Sequence, residues 1–88
     1  MISRTVAIGS SVGLHARPAS VLAEAVDDSG VDVTIAFDGE EADAASLLEI
    51  MTLGVGHGDE VTLSTDDDNA GAVLDSLVEL LSRDLDKE

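Results

Sequence analysis

The residues best suited to chemistry lie together in residues 13–19, GLHARPA, which contain the only histidine of the N-terminal half. Pro18 fits the first turn of a helix, because N–H groups there have no intrahelical partner and the fixed φ of proline suits the turn. His15 is therefore predicted to lie near a helix N-cap, with Arg17 in the first turn. A helix N-terminus together with an arginine favours binding of an anion.

A phosphoryl group is the anion that a histidine at this position could itself carry. An imidazole nitrogen is a nucleophile near neutral pH, so His15 could hold the group covalently and pass it to another acceptor. The alternative is structural, since a histidine before a helix can also be an N-cap or a solvated loop residue. Gly13 and Pro18 would then be turn residues only.

Residues 13–19 resemble the active-site signature of HPr, the histidine phosphocarrier protein of the phosphoenolpyruvate-dependent sugar phosphotransferase system. A second segment, residues 45–54 (ASLLEIMTLG), and the order of elements also resemble this family, so the resemblance spans nearly the whole chain. It implies that Nδ1 of His15 accepts a phosphoryl group from phosphorylated enzyme I and donates it to an enzyme II A domain. It also implies a phosphocarrier and not an enzyme, with no metal or organic cofactor.

The resemblance also gives roles to individual residues. Arg17 would stabilise the phosphoryl group during transfer, and the helix start at Ala16, Arg17 and Pro18 would hold its oxygens. Ser46 matches a position that is phosphorylated for regulation in some Gram-positive members, although an N-cap role already accounts for a serine there.

Residues 46–53 predict a short helix with an exposed apolar surface. Ser46 and Glu49 fit a capping box, in which each side chain satisfies a helix-start N–H group. The segment has more apolar residues than one buried stripe can hold, so some of them are predicted to form a docking patch. This predicted patch consists of Leu47, Leu48 and Met51. A short helix buried on two sides is the alternative.

Hydrophobic periodicity predicts the elements that must position His15. The predicted strands are residues 2–8, 31–37, 40–44 and 61–64, and the predicted helices are residues 16–29, 46–53 and 70–81. Apolar residues recur at helical spacing along the first helix, at Ala16, Ala19, Leu22, Ala23 and Val26. Arg4 interrupts the first strand and is expected near an edge of the sheet. Asp68 or Asn69 is predicted to cap the last helix.

The order β-α-β-β-α-β-α predicts one α+β domain over residues 1–88, with a four-stranded antiparallel sheet and three helices. The resemblance implies the HPr-like open-faced β-sandwich, with all three helices on one face. The pattern alone also allows a ferredoxin-like arrangement. In that fold residues 46–53 would form a full crossover helix, for which they are too short.

Two other segments partly match known ligand sites. Residues 54–59, GVGHGD, are glycine-rich, but no Lys-Ser or Lys-Thr follows them, so a turn is the simpler interpretation. His57 is then a solvated loop residue. Residues 66–69 lack the alternating ligands and the distal glutamate of an EF-hand. With two histidines and no cysteine in the chain, no metal site is predicted.

Composition limits the class of protein and its surroundings. A chain of 88 residues forms one small domain, and Phe37 is its only aromatic residue, so a small aliphatic core is expected. No apolar run is long enough to span a bilayer and no signal peptide is evident, which predicts a cytoplasmic protein without membrane insertion. The absence of cysteine excludes disulfides. The protein is expected to be a monomer.

The net charge of −15 arises from 19 acidic residues spread along the chain. Nucleic acid and anionic membranes are therefore poor partners. Molar salt shortens the Debye length to about 3 Å and would relieve the repulsion, which predicts a halophilic, haloarchaeal source. Glu24, Asp27 and Glu49 lie where bacterial members often have lysines near the active site. Docking is therefore expected to depend more on apolar contact than on charge.

Two other function classes remain open from the sequence. One is a regulatory interaction module of the same fold, of the nitrogen-branch or catabolite-control type, acting through residues 46–53. The presence of His15 beside Arg17 argues against it. The other is a ferredoxin-like domain that binds a small ligand or a metal, for which the scattered carboxylates offer no convincing arrangement.

Overall fold

The computed structural model describes residues 1–83, so the last five residues of the predicted domain 1–88 lie outside the described part. The elements are β1 (Ile2–Ala7), α1 (Ala16–Ser29), β2 (Thr34–Phe37), β3 (Glu40–Asp43), α2 (Leu47–Thr52), β4 (Glu60–Thr65) and α3 (Gly71–Ser82). Their order is the predicted one. β2 begins three residues later than predicted, although the residues before it still alternate, with Val31 partly buried, Asp32 exposed and Val33 buried.

The four strands form one antiparallel sheet in the order β1-β4-β2-β3. Because side chains alternate along a strand, the register brings apolar residues to one face. Val6 pairs with Val61, and Ile35 pairs with both Leu63 and Ala42. The three helices pack on this face, which confirms the predicted α+β open-faced sandwich. The ferredoxin-like alternative is not observed, because α2 has only six residues.

The core between sheet and helices is aliphatic, as the composition predicts. Burying one such side chain stabilises the fold by about 1.5–3 kcal/mol relative to leaving it exposed. The largest apolar side chains that are almost completely buried are Ile8, Leu22, Ile35, Ile50, Leu63, Leu74 and Leu81. Phe37 is only half-buried and packs at the margin of this core.

α1 ends where the sequence predicts. Gly30 follows the helix with a left-handed φ of 71°, and its N–H donates to the carbonyl of Asp27 at 3.3 Å. Such a residue satisfies a carbonyl that the helix end leaves without a partner. Of the five apolar residues that recur at helical spacing in α1, only Ala16, the first helical residue, is exposed. Pro18 is buried in its place.

α2 has half of the predicted capping box. Ser46 is the N-cap, and its hydroxyl accepts from the N–H of Glu49 at 3.4 Å. The reciprocal hydrogen bond is not formed, because the carboxylate of Glu49 accepts instead from the N–H of Asp43, also at 3.4 Å. The N–H of Ser46 donates to the carbonyl of Asp43 at 3.0 Å. β3 and α2 are thereby joined by a tight turn.

α3 begins differently from the prediction. Neither Asp68 nor Asn69 caps it, since the N-cap is Ala70 and no side chain caps the helix. Asp68 accepts instead from the amino group of Met1 at 2.9 Å, and this hydrogen bond raises the pKa of the amine above 8.0. The N–H of Asn69 donates to the carboxylate of Asp67 at 2.9 Å. In residues 66–69, Asp67 thus stabilises a turn and Asp68 forms an ion pair.

Arg4 lies at an edge of the sheet, as predicted, because β1 is an edge strand. Its guanidinium Nε donates to the carboxylate of Asp75 at 3.0 Å and so joins β1 to α3. Within residues 1–83, no helix combines the length and the apolar character that a membrane span requires.

Candidate functional site

His15 lies at the N-terminus of α1 with an exposed side chain. Its backbone is extended, with φ −75° and ψ −178°, and its carbonyl accepts from the N–H of Ala19 at 2.9 Å as the first helical hydrogen bond. The imidazole ring makes no capping hydrogen bond. His15 therefore holds the N-cap position by its backbone, and its ring is not used to stabilise the helix.

The first turn of α1 surrounds His15 with groups that favour an anion. Ala16 and Arg17 are exposed, and the N–H groups of a first turn point away from the helix at the positive end of its dipole. Pro18 has no N–H to offer, and its buried ring anchors the helix start. Between residues 5 and 82 Arg17 is the only lysine or arginine. Elsewhere in that stretch the charged side chains are carboxylates, which repel an anion.

The turn that leads into His15 rests on the backbone of residues 54–56. Gly13 has a φ of 75°, and its N–H donates to the carbonyl of Ser10 at 3.0 Å. The N–H of the buried Leu14 donates to the carbonyl of Val55, also at 3.0 Å. A Cβ atom on Gly13 would lie 2.5 Å from that carbonyl oxygen and 2.7 Å from Cα of Gly56. Only glycine allows this approach.

His57 is hydrogen-bonded to the same turn, although the sequence suggests only a solvated loop residue. Its side chain is exposed, as predicted, but Nδ1 lies 2.9 Å from the carbonyl oxygen of Ser10. These two residues are 47 positions apart, so no local pattern in the sequence could reveal the contact. The structure thus brings both histidines of the chain to the same loop region.

A shallow cleft of about 230 Å³ opens beside His15. Its lining residues are Val12, Leu14, His15, Met51, Gly54 and Val55. Met51, a predicted docking residue, therefore lies next to the predicted phosphorylation site. Val12 is half exposed and was missed by the sequence reasoning, although an apolar residue in a serine- and glycine-rich loop directly before His15 is a usable signal.

The exposed face of α2 is apolar, as predicted. Leu48 is 76% exposed and Met51 is 39% exposed, while Leu47 is half-buried. Ile50 is the one fully buried residue of this helix. The alternative of a helix buried on two sides is therefore wrong.

Acidic residues border this apolar face. A second open cleft, of about 310 Å³, lies between α1 and the start of α2. Glu24 and Asp27 line it together with Leu47. Glu49 is also exposed on α2. Glu24 and Asp27 thus border the apolar patch at Leu47, and Glu49 lies on the same helix as the patch.

A larger cleft, of about 630 Å³, lies at the opposite end of α1, between Gly30 and the first residue of the chain. Asp32, Asp66 and Asp67 contribute to its lining, which disfavours a phosphoryl group. No set of three or more His, Asp or Glu side chains in residues 1–83 is placed to share a metal ion. The cleft beside His15 is therefore the candidate site.

Comparisons with known proteins identify the family of the whole chain. The protein-family model PTS-HPr, described as "PTS HPr component phosphorylation site", matches residues 2–83. The phosphocarrier protein HPr of Streptomyces coelicolor is 42% identical over 88 residues, covering 99% of this chain and 95% of that protein. The phosphocarrier protein HPr of Haloferax volcanii is 41% identical, covering 92% and 93%. Both names describe phosphocarriers, in agreement with the prediction of a carrier and not an enzyme.

A solved structure extends the likeness to the fold. The phosphocarrier protein HPr of Bacillus anthracis superposes with a TM-score of 0.84 at 29% identity, covering 91% of this chain and 95% of that one. It shares the four-stranded antiparallel sheet and three helices described above. Because the family model covers nearly the whole chain and two relatives exceed 40% identity over it, this chain belongs to the HPr family of phosphocarrier proteins.

Proposed function

We propose that the chain carries a phosphoryl group on His15, taken from phosphorylated enzyme I of a phosphotransferase system and given to an enzyme II A domain. The observation that carries the proposal is the exposed imidazole at the start of α1, beside the only cationic side chain between residues 5 and 82. The family to which the chain belongs supports it.

Each transfer is a displacement at phosphorus. The unprotonated Nδ1 of His15 attacks the phosphorus, the bond from phosphorus to the donor breaks, and the donor keeps that electron pair. Transfer to the acceptor repeats the same exchange with His15 as the leaving group. The charge of the phosphoryl oxygens is unchanged overall, so catalysis consists mainly of positioning and electrostatic stabilisation.

The first turn of α1 supplies that stabilisation. Arg17 contributes a formal positive charge, and the N–H groups of Ala16 and Arg17 are the donors nearest to a phosphoryl group on His15. Pro18 contributes by fixing the helix start, since it lacks an N–H and is buried. No step requires a metal ion or an organic cofactor.

Partners are proposed to dock on the apolar face of α2. Leu48 and Met51 are exposed, and Met51 shares the cleft with His15, so a partner seated there would reach the imidazole. Leu47 extends the patch toward the cleft bordered by Glu24 and Asp27. Enzyme I and the enzyme II A domain would then use one surface in turn.

Intact-mass analysis tests the site of phosphorylation. The chain is incubated with phosphoenolpyruvate and a cognate enzyme I, and one acid-labile phosphoryl group is expected on the wild type and none on His15→Ala. His57 is the only other histidine. A label that persists in His15→Ala, with the variant folded by circular dichroism, would contradict the assignment to His15.

The regulatory interaction module is the alternative, and it would bind partners through α2 without carrying phosphate. An unlabelled wild type that still binds a partner through Leu48 would favour it. Phosphorylation of Ser46 stays a prediction. Its hydroxyl already serves as the N-cap of α2 by accepting from the N–H of Glu49, and a phosphate there would add negative charge to an already acidic surface. Phosphopeptide mapping of the protein isolated from cells would test it.

A further inference from the structure

We propose that His57 is a positioning residue for phosphoryl transfer at His15. It would act by holding the turn of residues 10–13, which leads directly into His15. The inference rests on the proposed function, because it assigns a second histidine to the same reaction. His57 touches neither the phosphoryl group nor a partner in this proposal, and its effect reaches His15 through the backbone.

A single carbonyl oxygen connects His57 to the turn. Nδ1 of His57 lies 2.9 Å from the carbonyl oxygen of Ser10, and that oxygen also accepts from the N–H of Gly13 at 3.0 Å. A carbonyl can only accept a hydrogen bond, so Nδ1 of His57 must carry the hydrogen. The ring is therefore held as the Nδ1–H tautomer or as the imidazolium. Both forms keep the bond.

The turn is fixed to the neighbouring loop at two points, one on each side of Gly13. His57 holds the carbonyl of Ser10 before it, and Val55 accepts from the N–H of Leu14 after it, at 3.0 Å. His15 follows immediately. Without the imidazole, the first of these two hydrogen bonds would be lost and the approach to His15 would be held less firmly.

The loop that carries His57 is itself anchored. The N–H of Gly58 donates to the carbonyl of Ile8 at 2.9 Å, and the N–H of Gly56 donates to the carboxylate of Asp59 at 2.9 Å. His57 therefore connects the turn of residues 10–13 to a loop that is itself held by hydrogen bonds. Phosphoryl transfer is sensitive to such support, because a misplacement of about 1 Å in a reacting group can cost roughly 100-fold in rate.

The exposure of His57 separates this role from a contribution to the core. Its side chain is exposed and belongs to no apolar cluster, so its removal is expected to leave the fold intact. It also lies outside the predicted docking patch. Removing the His57 side chain should therefore lower the transfer rate at saturating phosphorylated enzyme I, and the KM for that partner should change little.

Three variants at one position test the proposal. His57→Asn keeps a donor, because the amide nitrogen of asparagine can take the place of Nδ1. His57→Asp has the same shape as His57→Asn but places an acceptor against the carbonyl of Ser10. His57→Ala has neither a donor nor an acceptor in its side chain. The expected result is a roughly tenfold lower transfer rate for the alanine and aspartate variants, with the asparagine variant within about twofold of wild type.

Amide hydrogen exchange gives a readout that does not depend on phosphoryl transfer. The amides of Gly13 and Leu14 should exchange faster in His57→Ala and His57→Asp than in the wild type and His57→Asn. Wild-type exchange and wild-type rates in His57→Ala would overturn the inference, as would an equal loss in all three variants. If the phosphoryl label instead persists in His15→Ala, the proposed function fails while the exchange measurement still reports on the turn.

Discussion

Gly13 is the single residue on which the position of His15 depends most directly. Its φ of 75° is in the left-handed region, and its Cα lies against the carbonyl of Val55. Gly39 offers a comparison, because it has a φ of 81° but a Cβ atom there would have nothing within 4 Å. Both glycines thus have a left-handed backbone conformation, but only at Gly13 would a Cβ atom also clash with a neighbouring segment.

Gly13→Ala is therefore expected to destabilise the fold more than Gly39→Ala. A left-handed alanine costs about 1–2 kcal/mol, which both variants share, and the contact with Val55 should add at least about 1 kcal/mol for Gly13→Ala. Urea denaturation of both variants gives the two free energies of unfolding. Equal losses would mean that the loop of residues 54–56 can move away without cost.

The placement of single residues was partly predictable from the sequence. His15, Arg17 and Pro18 stand close together in the chain, and the constraint that proline places on a helix start is local. The contact made by His57 was not predictable. Its partner is a backbone carbonyl 47 residues away, and such a contact depends on how β1 and β4 bring two loops together.

At the scale of elements, α2 presents leucine and methionine side chains to solvent, and acidic residues lie nearby on α1 and on α2 itself. Truncating a buried interfacial anchor commonly costs more than about 1 kcal/mol, whereas a charge at the rim mainly alters the association rate. At molar salt the contribution of Glu49 is further screened. Apolar contact should therefore dominate docking through this helix.

Leu48→Ala or Met51→Ala is expected to lower kcat/KM for phosphoryl transfer from enzyme I by at least about fivefold at molar salt. Glu49→Gln is the matched control, because it removes the charge but keeps an acceptor for the N–H of Asp43. Circular dichroism verifies the fold of each variant. A larger effect of Glu49→Gln would indicate that charge governs docking.

The elements themselves were predictable because their apolar periodicity is regular, as in the stripe of α3. Their caps were less so. Asp68 and Asn69 have side chains that suit an N-cap, yet the carboxylate of Asp68 pairs with the amine of Met1, no side chain caps the helix, and the helix begins after Ala70. A short polar side chain can form a hydrogen bond with any of several nearby backbone or charged groups. The sequence does not predict which of these hydrogen bonds forms.

At the scale of the whole molecule, the negative charge lies almost entirely on the surface. Every acidic residue of the described part is exposed except Asp59, which is half-buried. The three ion pairs in residues 1–83 join exposed groups: the amine of Met1 with Asp68, Arg4 with Asp75, and Arg83 with Glu79. Exposed pairs contribute little to stability, so most of the repulsion is uncompensated.

Stability is therefore expected to rise with salt. Between low salt and molar potassium chloride the Debye length falls to about 3 Å, and the repulsion among surface carboxylates falls with it. Thermal melts across a potassium chloride series measure this, and a series in sucrose controls for effects other than screening. A Tm that stays flat or falls toward molar salt would contradict the expectation and, with it, the inference of a halophilic source.

The position of β3 at the edge of the sheet has a consequence for self-association. Within residues 1–83 no strand pairs with its outer side, and an unpaired edge is a template for a strand from another molecule. Three of its four residues, Glu40, Glu41 and Asp43, are acidic and exposed. An approaching copy of β3 would bring like charges into register, which opposes pairing.

The double variant Glu41→Gln/Asp43→Asn should therefore aggregate or dimerise at low salt, whereas the wild type is expected to stay monomeric. Asp27→Asn/Asp28→Asn removes the same charge from α1, away from the edge, and should remain monomeric. Sedimentation velocity distinguishes the two. Equal association of both variants would mean that net charge alone keeps the molecules apart. If only the β3 variant associates, the acidic residues of β3 themselves prevent the sheet from being extended by a strand of another molecule.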